Sequence, residues 1–185
     1  MPKGKGQNNI CALNWKKHNI ILIGFMGTGK TAVGAILAQR LHRRLIDTDS
    51  LVEESTGLSI PSLFARFGEA YFRDRESEVI ASLGRFPAGT LIVSTGGGAL
   101  LRESNRELLR QNGVLVLLTA SPLAILRRVT KTGERPLLVG PGARQKIIRL
   151  LKDRKECYSK YDLKFDTTGR TPQRVARDII RELGL

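Results

Sequence analysis

The sequence predicts a three-layer α/β domain built on a parallel sheet, and three observations carry that prediction. Short, nearly all-apolar runs, Ile20-Ile21-Leu22-Ile23, Leu91-Ile92-Val93 and Val114 to Leu118, read as strands buried on both faces. Stretches of helical period alternate with them, so a β-α unit recurs five times, with extra helices after the second strand. One Gly-rich octapeptide, Gly24-Phe25-Met26-Gly27-Thr28-Gly29-Lys30-Thr31, is set between the first strand and the first helix. At 185 residues, 41% hydrophobic and 26% charged, the chain suits one globular domain.

Residues 1–18 carry Lys3, Lys5, Lys16 and Lys17 and no acid, and read as a short, mobile basic tail. The tail lacks the apolar core of a signal peptide. A strand is expected over about 19–24 and a helix over about 30–42. The octapeptide between them has the spacing of a phosphate-binding P-loop. Its glycines let the chain turn sharply, so that N–H groups from Gly27, Thr28, Gly29, Lys30, Thr31 and Ala32 can face one anion at the positive end of the helix. Lys30 is the residue type expected on the β- and γ-phosphates, and the Thr31 hydroxyl is the type expected on Mg²⁺.

Leu45-Ile46 reads as a short strand running out at Asp47. On an extended chain Asp47 and Asp49 would project to one side, where they could serve Mg²⁺ and a substrate hydroxyl. The competing reading is a helix cap, strongest for Asp49. Helices are expected over 50–55, from Ser59 to a break at Gly68, and over 69–84. Arg73 and Glu76 on the last are three apart and placed to pair, a plain surface pair being the alternative. The third strand ends in Ser94-Thr95-Gly96-Gly97-Gly98, where glycines permit close backbone approach to a ligand.

A helix is expected over 101–111, then the fourth strand over 114–118. Ser121 as N-cap and Pro122 in the first turn open a helix to Val129. Residues 130–144 hold five Gly and Pro and no helical period, and carry Arg135; they read as a lid over the phosphates. A basic helix containing Arg154 is expected over 145–160, a last strand over 163–166 and a last helix over 172–183.

Lys+Arg 31 against Asp+Glu 17 gives a net charge of +14. Residues 127–160 alone hold 11 bases and 3 acids. Such an excess suits a protein that handles anions in one cleft. With 5% aromatic residues and no nucleic-acid motif, a nucleic-acid partner is not expected. Cys11 and Cys157 make no metal or redox spacing, which suits a reducing cytoplasm. His18 and His42 are isolated and are assigned no catalytic role. The apolar run from Ile20 to Met26 is too short to span a membrane.

Together these pieces resemble shikimate kinase, from about Asn19 to Leu183. The resemblance rests on the P-loop, Asp47-Thr48-Asp49, Phe72-Arg73-x-x-Glu76, Thr95-Gly96-Gly97-Gly98 and Arg135-Pro136-Leu137-Leu138. It implies a five-stranded sheet of order 2-3-1-4-5 and a cytoplasmic monomer. It implies transfer of the ATP γ-phosphate to the 3-hydroxyl of shikimate with Mg²⁺, in the route to aromatic amino acids. By the same resemblance Asp47 holds Mg²⁺ through water, with Thr31 as direct ligand, and Asp49 binds shikimate hydroxyls. Arg73 and Arg154 clamp its carboxylate, beside backbone donors at Gly97 and Gly98. Arg135 reaches the transferring phosphoryl, Arg128 and Pro172 flank adenine, and Phe64 and Phe72 wall the pocket. The family's usual Arg-x-Pro-Leu-Tyr is here Arg154-Lys155-Glu156-Cys157-Tyr158, so the aim of Arg154 is the point to check. The rival readings are a gluconate or nucleotide kinase; the guanine-reading Asn-Lys-x-Asp of a GTPase is absent.

Overall fold

The computed structural model describes residues 15–132 and 142–185. The elements run β1 (Asn19–Ile23), α1 (Lys30–Leu41), β2 (Arg44–Asp47), α2 (Thr48–Thr56), α3 (Ile60–Ser82), β3 (Leu91–Ser94), α4 (Glu103–Asn112), β4 (Gly113–Thr119), α5 (Pro122–Thr132), α6 (Ala143–Asp153), β5 (Leu163–Asp166) and α7 (Pro172–Leu183). All five strands are parallel, in the order β2-β3-β1-β4-β5. This is the order the resemblance implies.

The central strand explains the layering. Ile20 to Ile23 are all 0% exposed. Because side chains alternate, Ile20 and Leu22 pack with Val33, Leu37, Val175 and Ile179 of α1 and α7, while Ile21 and Ile23 pack with Ile80, Leu83, Leu100 and Leu109 on the other face. Truncating any of these four side chains to Ala would cost about 2–5 kcal/mol. The strands therefore end together at one edge of the sheet, and β1, β2, β3 and β4 all run out toward the Gly-rich turns there. Among the described residues no helix is long and apolar enough to cross a membrane.

Several boundaries differ from expectation. The basic tail was expected through residue 18, but Trp15 already sits in the core beside Ile20 and Leu183, on a 3-10 turn over Trp15–Lys17. The break expected at Gly68 is present, at φ 80° and ψ 176°, so α3 is two helical stretches meeting at a kink. Ser59 caps it, accepting from the Ser62 N–H. The fourth helix is preceded by a separate 3-10 turn, Ala99–Leu101, and starts at Glu103. The expected helix over 145–160 stops at Asp153, and residues 154–159 form turns instead. Within those turns Arg154 and Tyr158, four residues apart, both donate to the Gly97 carbonyl.

Candidate active site

The P-loop leaves β1 at Gly24, whose φ is 139°; a Cβ there would lie 2.2 Å from the Leu118 carbonyl oxygen of β4. Only glycine fits that close crossing. Thr28, 1% exposed, donates from Oγ1 to the Phe25 carbonyl at 2.7 Å and so ties the turn to itself. Lys30 is 7% exposed and folds back over the loop, its Nζ donating to the carbonyls of Gly24 (2.8 Å) and Phe25 (3.1 Å). Helix α1 starts from Gly29 in the left-handed region, with no side chain capping its first N–H groups. Those donors and the Lys30 ammonium make the anion site.

On the β2–β3 side, Asp47 and Ser94 are register partners at the ends of neighbouring strands. Thr31 Oγ1 donates to Asp47 Oδ2 at 2.9 Å and lies 3.2 Å from Ser94 Oγ. The other Asp47 oxygen accepts from the Asp49 N–H at 3.1 Å, so Asp47, not Asp49, caps α2. The strand alternation argued for these two acids does not hold, because Asp49 already lies in the first turn of α2. They reach one site through the strand-to-helix corner instead. Two hydroxyls and a carboxylate beside the anion site are hard oxygen donors of the kind Mg²⁺ takes. Among the described residues no group of three His, Cys, Asp or Glu could cage a metal, so a cation here would share its coordination with phosphate oxygens and water.

The loop after β3 packs against α2, α3 and the P-loop. The Gly96 N–H donates to Thr48 Oγ1 at 2.9 Å. A Cβ on Gly96 would stand 2.4 Å from Asp49 Oδ1 and 2.8 Å from Glu76 Oε1. Gly97 offers its carbonyl to two donors, Arg154 Nη1 at 2.9 Å and the Tyr158 hydroxyl at 2.6 Å. Burial pushes the Tyr158 phenol up to about 12, so it stays protonated and donating. Across the trans peptide the Gly98 N–H points away from that pair. Arg73 lies against Gly98, its guanidinium within 2.5–2.7 Å of where a Cβ would be. The two arginines thus flank one dipeptide, and the Arg154 guanidinium also lies 5.5 Å from the Phe25 ring centre.

Arg73 is held from below. Its Nη1 donates to Glu76 Oε2 at 2.7 Å and its Nη2 to Glu69 Oε1 at 3.1 Å, and the Phe72 ring lies 5.1 Å beneath. Glu76 is 1% exposed, so this is a buried pair and not the plain surface pair weighed from sequence. Burial raises the Glu76 carboxyl above its ordinary value, with the Asp49 charge adding and Arg73 opposing. Burial also works against the Arg73 charge, but Glu76 and Glu69 outweigh it and hold the guanidinium charged. Phe64 stacks on Phe72 with ring centres 4.9 Å apart.

On the β4–β5 side, Arg128 of α5 donates to the Gly27 carbonyl at 3.0 Å. It also donates to Thr167 Oγ1 (2.9 Å) and the Thr167 carbonyl (2.6 Å). Pro172 opens α7 nearby in sequence, behind the Thr171 cap. Arg135 lies outside the described residues, as does most of the expected lid. Sequence reasoning did not single out Thr48, Ser94 or Thr167, and gave Tyr158 no role. Thr48, Ser94 and Tyr158 lie within quoted stretches but were given no role, while Thr167 lies outside them; for Thr48, Ser94 and Thr167 the available signal was position at the C-terminal end of a strand.

The shikimate kinase family model matches residues 26–184. The chain belongs to the shikimate kinase family. It is 43% identical over 164 residues to shikimate kinase of Thermodesulfovibrio yellowstonii, spanning 89% of this chain and 94% of that protein. It is 46% identical over 167 residues to the enzyme of Pelotomaculum thermopropionicum, spanning 89% and 95%. Among solved structures it is similar to shikimate kinase from Acinetobacter baumannii in complex with shikimate, with a TM-score of 0.84 and 36% identity over 90% of this chain and 93% of that one. A gluconokinase from Sinorhizobium meliloti shares the fold at 18% identity and a TM-score of 0.55. As a family member the chain carries every described motif residue except Gly24 and Phe25 inside the matched span.

Proposed function

We propose that this protein is a shikimate kinase in activity as well as in family, transferring the γ-phosphate of ATP to the 3-hydroxyl of shikimate. The observation that carries the reading is the pair Arg73 and Arg154 flanking the Gly97–Gly98 dipeptide, with Asp49 beside Gly96 and the P-loop adjoining. A small polyhydroxy carboxylate needs planar cations for its carboxylate and an acceptor for its hydroxyls. Those groups stand together here, one step from a phosphate site.

Lys30 and the N–H groups of Gly27 to Ala32 bind the phosphates and offset their charge. Mg²⁺, held by Thr31 and through water by Asp47, would draw charge off the β- and γ-phosphates. Asp49 orients the 3-hydroxyl, whose oxygen bonds to the γ-phosphorus as the bond to the bridging oxygen of ADP breaks. The hydroxyl proton passes late to Asp49. Arg128 and Pro172 flank adenine. The segment between α5 and α6 would act as the lid that brings Arg135 onto the transferring phosphoryl. The enzyme works as a cytoplasmic monomer, in the route to aromatic amino acids.

The test is the product. Incubation with ATP, Mg²⁺ and shikimate should yield one phosphate ester, its phosphorus signal coupled to the ring proton at carbon 3. Coupling to a different ring proton would contradict the placement of the 3-hydroxyl at Asp49.

A further inference from the structure

We infer that Thr167 is a positioning residue for the nucleotide, setting the Arg128 guanidinium against the P-loop so that it presents its flat face to the base. The inference rests on the proposed adenine assignment of Arg128 and Pro172.

The sheet divides the site into two sides. Asp47, Ser94 and the Gly96–Gly98 loop occupy the β2–β3 side, where the acceptor binds. In-line transfer puts the leaving ADP opposite the acceptor, which is the β4–β5 side. The Arg128 hydrogen bonds there converge on one hub. Thr167 is 3% exposed and follows the end of β5, its N–H donating to the Thr119 carbonyl at the end of β4. Its Oγ1 accepts from Arg128 Nη1 at 2.9 Å, which leaves the single hydroxyl proton for the Thr28 carbonyl (3.0 Å) or the Thr119 carbonyl (3.1 Å). Its own carbonyl accepts from Arg128 Nη2 at 2.6 Å. Arg128 Nη1 also reaches the Gly27 carbonyl at 3.0 Å.

All the Arg128 contacts lie along the edge of the guanidinium. An arginine tied by its edge offers further ligands only its flat face, the surface that stacks on a purine. One hydroxyl therefore joins P-loop, β4, β5 and Arg128. The phosphate and base subsites are held in a fixed relation through it.

The experiment is steady-state kinetics on Thr167→Val, Thr167→Ser, Arg128→Ala and the double variant Arg128→Ala/Thr167→Val. Thr167→Val keeps the shape and removes both donor and acceptor. It should raise the KM for ATP roughly tenfold, the loss typical of a hydrogen bond to a charged group. Turnover at saturating ATP should stay within about twofold, with the shikimate KM unchanged. Thr167→Ser should restore the ATP KM. In the Arg128→Ala background, Thr167→Val should add nothing, because the two act as one unit. Should Thr167→Val fail to fold, Thr167→Cys, a weak acceptor of similar size, must raise the ATP KM in the same direction. A normal ATP KM for Thr167→Val beside a raised one for Arg128→Ala overturns this inference alone. A normal ATP KM for Arg128→Ala overturns it together with the adenine assignment. A fall in kcat without a change in KM would make Thr167 a support of the loop, and would overturn it too.

Discussion

The proposed function gives Arg73 and Arg154 the acceptor's carboxylate and Arg135 the transferring phosphoryl, and the two roles predict different kinetics. A carboxylate contact exists in both the ground state and the transition state, so its loss appears in KM. Arg73→Ala should raise the shikimate KM by roughly tenfold or more, as expected for a charge-assisted bond, with the ATP KM little changed. Arg154→Ala should do likewise, whereas Arg135→Ala should depress kcat. Steady-state constants for the three variants check the division; an Arg73→Ala enzyme with a normal shikimate KM would defeat the clamp. Glu76 adds a pH test. Its folded carboxyl titrates above the ordinary 4.5, so the folded state holds the proton more tightly than the unfolded chain. Its contribution to stability is complete below 4.5 and is lost as pH rises through the raised value. Glu76→Gln escapes that loss, so wild type should lose ground to it in thermal melts as pH rises, and the gap should shrink again in acid. A gap that stays constant with pH would contradict the buried carboxylate. The motif residues were legible because they come in runs with fixed spacing. Thr167 was not, since a hydroxyl shows its worth only where the fold brings groups around it, here the Arg128 guanidinium and the carbonyls of Thr28 and Thr119.

Among the elements, the loop after β3 packs closely against both the P-loop at Met26 and the acidic groups Asp49 and Glu76. Gly96→Ala places a methyl 2.4 Å from Asp49 Oδ1 and 2.8 Å from Glu76 Oε1. The Asp49 carboxylate must turn aside, and buried Glu76 can give way only together with its partner Arg73, so the methyl should displace the acceptor-side groups while the sheet is left intact. Turnover should fall by about a hundredfold, as small misplacements of reacting groups do, and melting temperature should move by only a few degrees. Unchanged turnover in Gly96→Ala would separate this loop from the acceptor site. Element type was legible wherever period or apolar run was long, as for β1, β4 and α7. The break expected at Gly68 is there, with non-helical φ and ψ, and Leu63 and Phe72 on its two sides belong to one buried cluster. Legibility failed where local signals compete with tertiary contacts. The basic run after Asp153 kept helical composition, yet two side chains are drawn to the Gly97 carbonyl and the helix ends. The corner at Asp47 shows the same thing: the strand is too short for alternation to reach Asp49.

For the molecule as a whole, the β-α alternation was enough to predict a parallel three-layer domain. The strand order came from resemblance, because nothing local to β2 says which side of β1 it takes. That order is what places the acceptor residues on one side of the P-loop and Arg128 with Thr167 on the other. The net charge of +14 belongs to the same scale, since it surrounds a site for two polyanionic or carboxylate substrates with an attractive field. The central claim is that this site takes shikimate. Coupled ADP release, run with Mg²⁺, ATP and shikimate, quinate, gluconate or AMP in turn, tests it most directly. Shikimate should support ADP release far above the other three acceptors. ADP release with shikimate no greater than the acceptor-free background would contradict the account.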